Sequence, residues 1–238
     1  MEYPREFFEL TYRFARRVHS VMGLPLDQAL LRYTHLYLVF GLGRSFDPTT
    51  PVWVEFTAGL ETASNPVDWI AATYTRLAGG LPPRKPDLYF GCFYYAVWAG
   101  GRVRLHFWNP DPTTSPLQRK WITARMADLR GLFAHLRNYV PEASSVVGGS
   151  WLYNIDAYRR LFPAEFLATA QAEEPEAQFM ALWGQVLDHR GQIKPETAAV
   201  FVERFERAAS LEQILRSFPY PLLRLEAPLE IFFPFYGL

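Results

Sequence analysis

The segment from residue 89 to residue 108 constrains the fold most, because two strand-like stretches in it meet at a glycine pair. Residues 89–98 are rich in aromatic and other β-favouring side chains, and residues 102–108 alternate basic with apolar ones. Gly100-Gly101 between them is typical of a two-residue hairpin turn. We therefore expect an antiparallel hairpin with one face in the core and the other in water or a cleft. The apolar face would carry Val103, Leu105 and Phe107, and the polar face Arg102, Arg104 and His106.

The first eighty residues carry a helical pattern instead. Two helices are expected between Arg5 and Phe40, and a shorter helix is expected after Pro51. Asn65 before Pro66 predicts a capped helix that Gly79-Gly80 would end. A proline-rich turn at Leu81 to Pro86 would then lead into the hairpin.

Helices and strands alternate after the hairpin. Ser115-Pro116 predicts the start of the longest helix, which would run to about Tyr139, and Asn154 would cap a short helix. Further strands are expected over residues 145–153 and 179–187, and one or two final strands over residues 222–235, interrupted by Pro228. Further helices are expected over residues 195–208 and 210–218.

The predicted fold class is α+β. A mostly helical part, residues 1–80, precedes a mixed, largely antiparallel sheet with helices on its faces, residues 86–238. The second part has the order β-β-α-β-α-β-α-β. We find no linker, and so expect residues 1–238 to form a single domain.

Composition narrows the classes of function. Apolar residues make up 50% of the chain and charged residues 20%, which favours a packed globule. Lys plus Arg and Asp plus Glu number 24 each, so no net field would attract nucleic acid or an anionic membrane. Cys92 is the only cysteine, which excludes an internal disulfide and a cysteine-based zinc site. We expect a soluble cytoplasmic protein, because no signal-peptide pattern and no membrane-spanning apolar run is found. We expect no metal, because the histidines lack the spacing of metal ligands.

Three further sequence segments carry a resemblance to a known family. They are VRLHFWN at residues 103–109, SPLQRKW at residues 115–121 and VVGGSWLYN at residues 146–154. With helices first and a hairpin that leads into a long helix, the chain resembles the bacterial GNAT-like acyltransferases, which have the acyl-CoA N-acyltransferase fold. The resemblance covers residues 89–187. It implies that the strands over residues 102–108 and 145–153 separate and hold the thioester arm of an acyl-CoA between them.

The resemblance also implies roles for particular residues. Tyr158 would protonate the departing thiolate, while His106, facing a cleft, would act as a base beside the amine acceptor. The acceptor would be a small molecule or a protein amine. Coenzyme A or acyl-CoA would meet Asn154, and its pyrophosphate would lie on free amides at the start of the Pro116 helix. The full set of residues expected to bind the cofactor is Trp108, Ser115, Leu117, Gln118, Arg119 and Asn154.

One departure from the family pattern favours a second hypothesis. Typical members have a glycine-rich turn before the long helix, whereas residues 109–116 contain three prolines and Asp111. The alternative is a non-catalytic binding or assembly protein on the same scaffold. The apolar end, Ile231 to Tyr236, must be buried either in the fold or in a partner subunit. The aromatic side chains of the hairpin either pack in the core or form a stacking surface.

Overall fold

The computed structural model describes residues 2–78, 86–174 and 180–238. The chain divides into two compact units. The helical unit comprises the described residues 2–78 and 180–219, and the sheet unit comprises residues 86–174 and 220–238. The single domain expected over residues 1–238 remains a prediction. The sequence prediction grouped residues 180–219 with the sheet, and the units group them with the N-terminal helices.

The helices of the described residues are α1 (Arg5–Met22), α2 (Leu26–Tyr33), α3 (Leu36–Val39), α4 (Pro51–Thr62), α5 (Pro66–Ala78), α6 (Ile122–Tyr139), α7 (Asp156–Arg159), α8 (Ala164–Leu167), α9 (Met180–Trp183), α10 (Pro195–Arg207), α11 (Leu211–Leu215) and α12 (Phe232–Phe235). The strands are β1 (Phe93–Trp98), β2 (Arg102–Phe107), β3 (Ser145–Ser150), β4 (Gln171–Glu173) and β5 (Leu222–Pro228). Short 3₁₀ helices lie at Arg119–Trp121, Trp151–Asn154, Gly184–Val186 and Leu229–Ile231.

Aromatic side chains form the core of the helical unit. Helix α1 buries one face, and its Phe14 stacks on Phe201 of α10 with ring centroids 5.6 Å apart. Trp183 packs edge-on against Phe14 at 5.2 Å. The predicted cap of α5 is confirmed, since Asn65 Oδ1 accepts hydrogen bonds from the amides of Val67 and Asp68. The expected helix stop at Gly79-Gly80 and the turn at residues 81–85 lie outside the described residues.

The sheet unit contains a five-stranded mixed sheet in the order β1-β2-β3-β5-β4. The predicted hairpin is confirmed: β1 and β2 pair antiparallel from Phe93↔Phe107 to Trp98↔Arg102. The connection contains three residues, Ala99, Gly100 and Gly101, and the two glycines have positive φ angles of 75° and 72°, which glycine adopts without strain. Strand β3 is parallel to β2, whereas β5 is antiparallel to both β3 and β4. The expected α+β class is therefore found.

One face of the sheet is covered by α6 and by the C-terminal segment. Phe133 of α6 lies between Phe232 and Tyr236, with ring centroids 4.7 and 4.9 Å away. Phe232 and Tyr236 of the apolar end are thus buried within the sheet unit, whereas Phe235 is 38% exposed. The apolar residues of the hairpin, Val103 and Leu105, point to this face.

The structure differs from the predicted elements in three places. Residues 180–186 form α9 and a 3₁₀ helix instead of a strand, and the remaining strand of the sheet is β4. Leu182 and Val186 are both buried at helical spacing, and periodicity does not separate such a short apolar run from a strand. Of the one or two final strands predicted over residues 222–235, only β5 forms, and a 3₁₀ helix and α12 follow it.

The third correction concerns the longest helix. Helix α6 begins at Ile122, after a 3₁₀ turn, and not at Pro116. The preceding loop is held as a turn because the Asp111 carboxylate accepts hydrogen bonds from Thr113 and Thr114. Such side-chain bonds stabilise a turn at residues 111–114, and a further turn and a 3₁₀ segment precede α6.

Candidate functional site

The parallel strands β2 and β3 separate partway along their length. They pair only from Arg102↔Ser145 to Arg104↔Val147, although β2 continues to Phe107 and β3 to Ser150. Beyond this point β1 still pairs with β2, and β5 still pairs with β3. We call the space between residues 105–107 and residues 148–150 the fork.

Two buried tyrosines lie on the core side of the fork. Their rings pack edge to face, with centroids 5.1 Å apart. Tyr158 also packs edge-on against Phe107, with centroids 5.4 Å apart. A Cβ atom at Gly148 would lie 2.4 Å from the Tyr153 hydroxyl, so the close approach requires glycine. Burial raises the pKa of both hydroxyls well above the ordinary value, and both are therefore protonated.

Arg104 lies on the opposite, polar face at the start of the fork. Its Nη2 donates a hydrogen bond of 2.8 Å to the carbonyl of Gly149, and its guanidinium lies 5.3 Å from the Trp98 ring. A Cβ atom at Gly149 would lie 2.2 Å from Nη1, so glycine makes room for the guanidinium. Its Nε is buried without a hydrogen-bond partner. Desolvation lowers the pKa of Arg104.

The neighbouring arginines of the polar face are paired. Arg102 makes two hydrogen bonds to the Glu226 carboxylate, at 2.9 and 2.7 Å. Arg224 lies 3.2 Å from Glu173. No described residue has a carboxylate oxygen within 4.0 Å of a guanidinium nitrogen of Arg104. Arg104 is thus the arginine of this face whose charge lacks a close counter-charge.

The structure does not bring together the two predicted catalytic residues. His106 stacks on Tyr94 across the hairpin, with centroids 4.6 Å apart and planes 9° apart. The next residue, Phe107, points to the other face and contacts Tyr158. His106 and Tyr158 therefore lie on opposite faces of the sheet.

The predicted cofactor-binding residues fall into separate groups. Trp108 donates from Nε1 to the Gly91 carbonyl at 3.2 Å and contacts Tyr89, so it faces the β1 side of the hairpin. Asn154 donates to the carbonyls of Trp151 and Pro221, at 2.8 and 3.0 Å. Its predicted role as a helix cap is wrong, because Ile155 holds the N-cap position of α7.

The other predicted cofactor-binding residues, Ser115, Leu117, Gln118 and Arg119, lie in the turn before α6 and its 3₁₀ segment. The Ser115 carbonyl accepts a hydrogen bond from the Gln118 amide at 3.4 Å. Arg160 Nη2 lies 3.5 Å from the Leu117 carbonyl. Exposed Arg119 and Lys120 follow directly, so basic side chains surround the turn.

Cys92 is buried, as the sequence suggested, and lies in a polar cluster that the sequence did not reveal. Arg125 Nη1 donates to its sulfur at 2.7 Å, and Asp128 lies 2.8 Å from Arg125 Nε. Desolvation raises the pKa of the thiol to about 11. A neutral buried thiol is a poor nucleophile, so the cluster is structural.

Sequence reasoning did not identify Arg104, Gly149 and Tyr153 as site residues. The alternation along β2 placed Arg104 on the polar face, but the Gly148-Gly149 pair was interpreted as a flexible or bulged stretch. The useful signal was that pair on a strand expected beside β2, since adjacent glycines leave space on both faces.

No family model, curated protein or solved structure matches the chain. Within the ranges that the structure describes, no helix is long and apolar enough to cross a membrane. The same residues contain no group of three or more His, Cys, Asp or Glu placed to hold a metal ion.

Proposed function

We propose that the sheet unit binds the thioester arm of an acyl-CoA in the fork and transfers the acyl group to an amine. The observation that carries the proposal is the ending of the β2–β3 pairing at Arg104 and Val147, while both strands continue. Backbone amides and carbonyls that are not paired between the strands can hydrogen-bond to an extended ligand that contains amide groups. The chain order β1, β2, α6, β3, α7 and α8, β4, α9 to α11, β5 supports a GNAT-like fold.

Tyr158 is the proposed proton donor. The amine nitrogen would bond to the thioester carbonyl carbon, the carbon–sulfur bond would break, and the sulfur would take a proton while the amine releases one. Tyr158 is protonated because burial raises its pKa, and its ring packs against Tyr153 with centroids 5.1 Å apart. Placement of the two reactants accounts for most of the rate enhancement in such a mechanism.

The turn over Ser115–Arg119 is the proposed pyrophosphate site. Arg119, Lys120 and Arg160 supply positive charge there, in place of the glycine-rich turn of the resembled family. The carboxylate of Asp111 is hydrogen-bonded within its own loop, to Thr113 and Thr114. Phosphate binding at this turn would therefore depend on side chains more than on bare backbone.

Calorimetric titration of the full chain with coenzyme A and acetyl-CoA tests the proposal, with ATP as the control for adenine and phosphate recognition. We expect saturable binding of both coenzymes and weaker binding of ATP. Arg160→Gln should weaken coenzyme binding, whereas Arg137→Gln, an exposed arginine on α6, should leave it unchanged. No binding at millimolar coenzyme would overturn the proposal.

The second candidate is a non-catalytic binding protein. Two observations favour it: Tyr158 is only 2% exposed, and His106 lies on the other face of the sheet. A thiol-release assay with acetyl-CoA and a panel of primary amines separates the candidates. Coenzyme binding without thiol release for any amine would support the second candidate, and release that Tyr158→Phe abolishes would support the enzyme.

A further inference from the structure

Arg104 is a built cationic site rather than a surface arginine. The side chain is only partly exposed, one amino group is fixed on the Gly149 carbonyl, and the Trp98 ring lies beside the guanidinium. Gly149 is the residue that leaves space for it. A partly desolvated cation held in one orientation costs free energy unless an anion meets it.

The charges that surround Arg104 nearly cancel one another. Arg102 is paired with Glu226 and Arg224 with Glu173, and Ser145 donates a further hydrogen bond of 3.0 Å to Glu226. Among the described arginines of this face, Arg104 is therefore the one whose positive charge is not paired with a carboxylate. This charge suits one carboxylate better than a phosphate, which usually requires more donors and a larger positive charge.

We propose that Arg104 binds a carboxylate group of a small molecule at the start of the fork, with Trp98 beside the rest of that molecule. Nε is buried and one proton of Nη2 is used by the Gly149 carbonyl, so a carboxylate would bind the remaining protons of the two amino groups. Trp98 is 42% exposed and offers an apolar ring next to the charge, which favours a carboxylate with a flat apolar group. This site does not require a coenzyme, so it stands independently of the proposed acyl transfer.

The test is calorimetric titration of the full chain at low salt with sodium benzoate, the neutral isostere benzamide and inorganic phosphate. We expect saturable benzoate binding, weaker phosphate binding and no benzamide binding. Arg104→Gln should weaken benzoate binding roughly tenfold or more, because a charged hydrogen-bond pair is lost. Gly149→Ala should weaken it as well, since its Cβ would displace the guanidinium without removing the charge.

Two further variants test whether charge near Arg104, and not the net charge of the protein, controls benzoate binding. Glu226→Gln removes a negative charge from the same face and should tighten benzoate binding about threefold. Arg137→Gln lowers the net charge by one, as Arg104→Gln does, but lies on α6 and should leave binding unchanged. Thermal unfolding of each variant without ligand shows whether it is folded.

Benzoate binding that is unchanged in Arg104→Gln, or weaker than phosphate binding, would overturn the proposal, as would no benzoate binding at tens of millimolar. A parallel coenzyme A titration separates this inference from the proposed function: benzoate binding without coenzyme binding would support the carboxylate site and overturn only the acyl transfer.

Discussion

A buried histidine without hydrogen-bond partners is expected to lower the stability of this fold. His35 in the helical unit is fully buried, and neither ring nitrogen has a hydrogen-bond partner among the described residues. Aromatic rings surround it, with Trp183 stacked at 5.1 Å and Phe7 edge-on at 4.9 Å. Desolvation lowers the pKa of His35 to about 3, so the ring is neutral in the folded state.

This depressed pKa makes stability depend on pH with a definite sign. In the unfolded state the histidine has its ordinary pKa of about 6.5. Below that pH the unfolded state binds a proton at this residue, whereas the folded state does not. Stability should therefore fall as pH drops from about 6.5 toward 3, by about 2 kcal/mol at pH 5.

The variant His35→Phe should remove this pH dependence and raise stability at neutral pH by about 1 to 3 kcal/mol, because two unsatisfied groups disappear. Urea denaturation at pH 5 and pH 7 measures both effects. His19→Phe, at an exposed position, is the control and should keep the wild-type difference between the two pH values. Equal pH dependence in His35→Phe and wild type would contradict the assignment.

Cys92 provides a second prediction at the residue scale. Because the thiol is buried and its pKa is raised to about 11, the folded protein should react with iodoacetamide far more slowly than the urea-unfolded protein at pH 8. Mass spectrometry of quenched samples measures the rate. Rapid labelling of the folded state would show that the cluster with Arg125 and Asp128 opens readily.

At the scale of elements, the hairpin and the Asn65 cap could be predicted from local sequence, whereas contacts between residues distant in sequence could not. Gly100-Gly101 and the alternation along β2 determine the hairpin by themselves. The start of α6 at Ile122, by contrast, could not be predicted from the Ser115-Pro116 pair, because a turn and a 3₁₀ segment come between them. The fork could be expected only through the family resemblance, because strand pairing between β2 and β3 joins residues about forty positions apart. Arg102 pairs with Glu226 and Arg224 pairs with Glu173, which leaves Arg104 without a close carboxylate. These ion pairs could not be predicted from the sequence.

The two glycines of the hairpin turn offer a matched comparison. Both have positive φ, but a Cβ at Gly101 would lie 2.0 Å from the Glu142 carbonyl, while a Cβ at Gly100 would meet nothing within 4 Å. Gly100→Ala should cost about 1 kcal/mol from backbone strain alone. Gly101→Ala should cost about 1 to 3 kcal/mol more, because the turn must move away from the chain before β3.

Urea denaturation of the two variants beside wild type checks this difference. The amide of Ser144 also donates a hydrogen bond of 2.8 Å to the Gly101 carbonyl, which ties the turn to the same segment. Equal losses in the two variants would mean that the turn is not packed against residue 142.

At the scale of the whole molecule, the sheet unit is assembled from two separate stretches of chain. Strand β5 lies between β3 and β4, and it comes from the last stretch, after the chain has passed through α10 and α11 of the helical unit. The same stretch supplies Phe232 and Tyr236 to the core under α6. The order of elements along the chain therefore differs from their grouping in space, which is why the sequence placed α10 and α11 with the sheet.

Removal of residues 220–238 should therefore act on one unit far more than on the other. The deletion takes away the β5 ladder and two aromatic side chains of the core, so the amides of β1 to β3 and α6 should lose their protection from hydrogen exchange. The amides of α1 and α10 should keep most of theirs, because their shared aromatic core of Phe14, Phe201 and Trp183 is intact. Phe235→Ala, at a 38% exposed position of the same segment, is the control and should leave both patterns unchanged. Loss of protection in α1 and α10 to the same extent as in β1 to β3 would instead show that the chain folds as one cooperative domain, as its sequence first suggested.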